Sequence, residues 1–99
     1  MAIRLQRSSG NVFTDLGFPK EEAAHLRIRA DLMIQLTQLI DERGLTQKRA
    51  AVALGVTQPR ISDLVRGRIE LFSIDTLVEM LTHLGVAVTV KTKHRARVA

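Results

Sequence analysis

Gln58, Arg60, Ser62 and Asp63 stand together in the stretch "GVTQPRISDLVRGR", positions 55–68 of a 99-residue chain. Their side chains are hydrogen-bonding groups of different kinds. A glutamine amide can pair twice with an adenine edge and an arginine guanidinium twice with a guanine edge. A carboxylate such as Asp63 can accept from a cytosine amine, and Ser62 can donate or accept. Pro59 offers only apolar contact, of the sort that meets a thymine methyl. Gln47, Lys48, Arg66 and Arg68 surround this set. Basic residues beside a reading element supply most of the affinity and little sequence information, because phosphates are alike along a duplex. Gln47 falls at a helix start, where orphan N–H groups also favour a phosphate.

Such a set needs a rigid support. The apolar spacing of Ile61, Leu64 and Val65 predicts a short helix over 58–66, with Thr57 as N-cap and Gly67 as its stop. Pro59 sits in the first turn, where it does not break a helix. Turning Ile61, Leu64 and Val65 inward leaves Pro59, Ser62, Asp63 and Arg66 outward, Arg60 on the shoulder and Gln58 at the N-terminal end. Before it, Leu45 and Thr46 supply a staple residue and an N-cap for a helix that runs through "QKRAAVAL" to Gly55. Two short helices joined by "GVT" have helix-turn-helix geometry. Three positions carry that constraint. Ala51 is small where the helices cross, Gly55 leaves its helix with a positive φ, and Ile61 plugs the angle between them.

The rest of the chain builds the frame. Pro19 opens a long amphipathic helix to about Arg43, with Glu21 and Glu22 in its first turn and Gly44 after its end. Ser73 caps a further helix with Ile74, Leu77, Val78, Leu81 and Leu84 at helical spacing, ended by Gly85. "VAVTVKT" then switches to a period of two and predicts a strand. A lone strand must pair. Its expected partner is either a second copy of the chain, together with the end of the last helix, or residues 11–14 of the same chain. Positions 1–18 show no clear period, with a turn at 8–11. The organisation is therefore an N-terminal extension over 1–18, partly flexible, a helical unit over 19–85, and a strand with a basic, frayed tail over 86–99.

Hydrophobic content of 45% and charged content of 25% suit one folded domain. With no cysteine, disulfides and thiolate metal sites are excluded. The first residues are too polar for a signal peptide and no apolar run reaches membrane-spanning length, so the expected setting is the cytoplasm, with no membrane partner. The net charge is +5 and is segregated. Residues 1–44 carry six basic and six acidic side chains, whereas 45–99 carry nine basic and four acidic. A basic half suggests a polyanionic partner; a solvated surface is the plain alternative.

Each singled-out residue has a structural alternative. Asp63 lies three residues from both Arg60 and Arg66, so it either touches a base or orients those arginines. His25, His83 and His94 have no metal spacing and read as surface or cap residues, and Met33 and Met80 as core. There is no Gly-rich phosphate loop, no metal cluster and no nucleophile beside a base, so neither an enzyme nor a cofactor is expected.

Through "LTQKRAAVALGVTQPRISDLVRGR" the sequence resembles the Cro/C1-type, or XRE, helix-turn-helix family. "GNVFTDLGF", "VTQPRISDLVRGRIELFSIDTLVEML" and the terminal strand resemble its HigA-like antitoxin and phage-type regulator branch, over nearly the whole chain. The resemblance implies a mainly α fold, a lambda-repressor-like bundle of four to five helices with a short C-terminal strand. It implies base contacts from Thr57, Gln58, Pro59 and Asp63 and a phosphate contact from Gln47. Pro59 departs from the polar residue frequent in phage repressors and is usual in the antitoxin-like branch. The implied function is a dimeric repressor on a palindromic duplex operator, with a RelE/HigB-like toxin as possible second partner. A stand-alone phage-type repressor and a protein-interaction module that keeps only the fold are the alternatives.

Overall fold

The computed structural model describes residues 2–6 and 11–94. The order is strand β1 (Ala2–Gln6), α1 (Val12–Asp15), α2 (Lys20–Glu42), α3 (Gln47–Leu54), α4 (Gln58–Val65), a single 3₁₀ turn at Ile69–Leu71, α5 (Ile74–His83) and strand β2 (Ala87–Lys91). It is a mainly helical bundle. The four central helices start and stop where caps and glycines place them. Thr46 Oγ1 accepts from the Arg49 N–H at 3.2 Å and Ser73 Oγ from the Thr76 N–H at 3.1 Å. Each satisfies one orphan donor at a helix start.

The long helix α2 is the spine. Its buried residues Leu32, Met33, Leu36, Leu39 and Ile40 repeat at three- and four-residue steps. They meet Ala50 and Leu54 of α3, Ile61 and Leu64 of α4, Phe72, and Leu77, Met80 and Leu81 of α5 in one core. Burying a side chain such as Leu36 or Phe72 contributes roughly 1.5–3 kcal/mol each. Val86 closes the core after α5.

The two ends of the chain meet. β2 pairs with β1 in parallel, with Ala2 opposite Ala87 and Gln6 opposite Lys91. This corrects both expected partners of the strand, the second copy of the chain and residues 11–14: the partner is the chain's own start, and residues 12–15 form the one-turn helix α1, capped by Asn11, whose Oδ1 accepts from the Phe13 N–H at 2.9 Å. The Asn11 side chain also donates to the Ala23 carbonyl at 3.0 Å and ties α1 to the start of α2. Phe13 and Phe18 stack edge to face, 6.1 Å between centroids. The predicted turn at 8–11 lies outside the described residues except for Asn11, and the last five residues of the basic tail lie outside them as well.

Candidate nucleic-acid interface

α3 and α4 form a compact angle because small and large residues alternate at their crossing. Ala50 and Ala51 are buried on α3, and Ile61 is fully buried on α4. Gly55 has φ +71°, and the Val56 N–H returns to the Ala51 carbonyl at 2.9 Å. Glycine is required there twice over. A side chain would be strained at that φ, and a Cβ would come 3.2 Å from Cε1 of His83 at the end of α5. His83 therefore packs its ring against the turn between the two short helices.

α4 is anchored through its back and open at its front. Ile61 and Leu64 are buried, while Thr57, Gln58 and Pro59 at its start are exposed. Arg60, Ser62 and Asp63 are half-buried, and Arg66 and Arg68 beyond its end are exposed. Gln47 and Lys48 at the start of α3 are exposed too. Between positions 45 and 68 the only acidic residue is Asp63, against Lys48, Arg49, Arg60, Arg66 and Arg68. A positive potential is thus concentrated around the two short helices.

Four details differ from the sequence expectation. Val65, placed inward by a uniform 100° step, is 45% exposed; it stands at the end of α4, on the rim of an open groove that it lines with Ile34, Thr37 and Gln38 of α2. Thr57 occupies the N-cap position but its side chain makes no capping hydrogen bond. Asp63 orients neither Arg60 nor Arg66; its ion pair is with Arg68, Oδ1 to Nε 3.8 Å, and its carbonyl accepts from the Arg68 N–H at 3.1 Å. The chain bends back at Gly67, φ +74°, and this brings Arg68 to Asp63. Arg60 is engaged within the fold: Nη1 donates to the Leu71 carbonyl at 2.9 Å, and its guanidinium carbon lies 4.2 Å from the centroid of the Phe72 ring. Arg29 and Phe72 were not legible as contributors to this surface. Arg29 of α2 donates to the Ile69 carbonyl at 3.3 Å, across 40 positions of sequence, a separation at which no local pattern could have paired them.

The helix-turn-helix domain family matches residues 12–93. A solved structure assigned to the XRE family of transcriptional regulators superimposes with a TM-score of 0.69 at 32% identity, covering 79% of this chain and 90% of that one. The chain belongs to the XRE family of helix-turn-helix proteins. No curated protein matches it.

As an XRE regulator it is a DNA-binding transcription factor by class. Among the described residues, no helix is long and apolar enough to cross a membrane, and no group of three or more His, Cys, Asp or Glu is placed to hold a metal ion. The side chains around α4 are hydrogen-bonding and cationic groups.

Proposed function

We propose that this XRE regulator is a sequence-specific repressor that lays α4 in the major groove of a palindromic operator, as a twofold dimer. Thr57, Gln58, Pro59, Ser62 and Asp63 contact bases, and Gln47, Lys48, Arg66 and Arg68 contact phosphates. The observation that carries this reading is the division of α4. Ile61 and Leu64 are buried to 1% exposure or less, while Thr57, Gln58 and Pro59 one turn earlier are open to a partner. Rigid support and free polar groups together are what base readout requires. One short helix covers only a few base pairs, so a second copy about 34 Å away along the duplex completes the specificity. Since β2 is already paired inside the chain, the need for a second copy comes from this reading length and not from an orphan strand. A gel shift with the DNA upstream of its own gene tests the assignment. Gln58→Ala should weaken binding to that DNA far more than to random duplex; equal losses would remove base reading by α4.

The finer reading is that the chain is the antitoxin of a toxin–antitoxin operon, binding a RelE/HigB-like ribonuclease and repressing its own genes. It is supported by the sequence resemblance and by the surface around α1. Val12, Leu16 and Phe18 are 56%, 69% and 39% exposed, and Asp15, Glu21 and Glu22 beside them in sequence are exposed. An apolar patch with acidic neighbours suits a basic, RNA-binding partner. α1 docks on the start of α2, about 15 Å along that helix from Met33, where α4 packs, so toxin and operator could be held together. Co-expression with the product of the adjacent gene, and growth of cells carrying that gene alone, decide the matter. A harmless or non-binding neighbour leaves a stand-alone repressor.

A further inference from the structure

The loop that follows α4 carries two of the proposed phosphate contacts, Arg66 and Arg68, and its first residues hang on α4 itself, through the Arg66, Gly67 and Arg68 N–H groups to the Ser62, Leu64 and Asp63 carbonyls at 3.0, 3.0 and 3.1 Å. Its core is the 3₁₀ turn. Ile69 N–H donates to the Gly67 carbonyl at 2.8 Å, Leu71 N–H to Arg68 at 3.1 Å and Phe72 N–H to Ile69 at 3.3 Å. Short 3₁₀ turns have poor hydrogen-bond geometry and rely on outside support. That support comes from side chains on three sides. Arg29 reaches from α2 to the Ile69 carbonyl, Arg60 reaches from α4 to the Leu71 carbonyl, and Asp63 pairs with Arg68. Phe72 drops its ring into the core, 1% exposed, and Arg60 lies over that ring.

We infer that Arg60 is a positioning residue: it fastens the far end of the loop, Leu71 and Phe72, to the recognition helix and so steadies the turn that starts at Arg68 against the DNA backbone, instead of reading a base. This deepens the proposed operator reading and rests on it. The geometry is the reason. A guanidinium is planar, and stacking on Phe72 fixes that plane while Nη1 is directed to Leu71. Reaching a base edge would give up both contacts at once. Gln58 and Pro59, exposed at the two preceding positions, face no such choice. The shoulder position of Arg60 on α4 turns it away from the groove-facing residues and toward the loop. Its charge still adds to the field near the phosphates, within a Debye length of about 8 Å. Arg60→Lys keeps that charge and loses the planar stack, which separates field from geometry.

Three measurements on the full chain test this, with Arg60→Lys, Arg60→Gln and Phe72→Leu beside wild type. In the free protein, amide exchange at Leu71 and Phe72 should quicken in Arg60→Lys and Arg60→Gln, while exchange at Ile61 and Leu64 stays as in wild type. Selection from a randomised duplex pool should return the wild-type consensus, base for base, with Arg60→Lys. Affinity for the selected site and for random duplex should fall together, about three- to tenfold, the scale of losing one cation–π contact. Combining Arg60→Lys with Arg68→Ala should cost less than the two changes added, since a loosened turn has already misplaced Arg68. Phe72→Leu should reproduce the pattern. A consensus that loses one preferred base with Arg60→Lys, or loop amides that exchange as in wild type, would overturn the inference. Failure of the wild-type chain to bind any duplex would instead overturn the operator reading, and loop exchange in the free protein would still judge the clamp.

Discussion

The helix pair α3–α4 and the strand pair β1–β2 hold together by opposite means. α3 and α4 are neighbours in sequence, joined through 55–57, and their caps, glycine and crossing residues all lie within some twenty positions. The strands are joined across 80 intervening residues and pair in parallel, so no hairpin turn can set their register. Local order makes α3–α4 a preformed surface. The strand pair depends on the bundle that brings its ends together, since two strands alone are marginal in water. The difference implies that the recognition surface survives loss of the strands, whereas the strands do not survive loss of the bundle.

The sharpest way to break that comparison is at Ile61, which is fully buried between α3, α4 and α2. Ile61→Ala should cost about 2–5 kcal/mol in urea unfolding and remove DNA binding with it. At Gly55 the next largest effect is expected. Gly55→Ala meets both a positive φ and the His83 ring, and should cost about 1–2 kcal/mol by the same measurement. If it were neutral, the turn would be less constrained than its geometry implies. Gln58→Ala should leave unfolding unchanged and lower affinity for the selected site by about 1–3 kcal/mol, with lost preference at one base pair, as read by competition gel shift. Arg66→Ala should weaken all sequences alike and make the salt dependence of binding shallower by about one phosphate contact. The smallest effect on recognition belongs to the strands. Removing residues 1–6 should leave the consensus and the affinity within about a factor of two, because β1 pairs with β2 while the caps and crossing residues of α3 and α4 are local to that pair; a larger loss would show that the strand pair supports the reading surface after all.

The candidate site was legible to different depths. Ala51, Gly55 and Ile61 could be read because their constraint is local and steric. The exposed Gln58 and Pro59 followed from helical phase once Ile61 and Leu64 were turned inward. Val65 did not, because phase says which way a side chain points and not whether another element covers it. The orienting alternative for Asp63 named the wrong arginines for a similar reason: the helical i±3 rule assumes that the helix continues, and Gly67 folds Arg68 back instead.

α1 and the 3₁₀ turn did not come from the sequence alone; the four longer helices α2 to α5 and their stops, the Thr46 and Ser73 caps, the short turn between α3 and α4, and the basic character of that half did. These are set by residues within a few turns of one another, through hydrogen bonds and periodicity that a linear string displays. β1 was not read: the alternation of Ile3 and Leu5 with Arg4 and Gln6 is too short to stand out within positions 1–18, and it names no partner. Only the tertiary structure decided that β1 takes β2, that Arg60 turns to Phe72 and Leu71, and that Arg29 crosses to Ile69. Such contacts depend on where the bundle carries groups that lie 11 to 85 positions apart, and distance in space is not written in the spacing of residues along the chain.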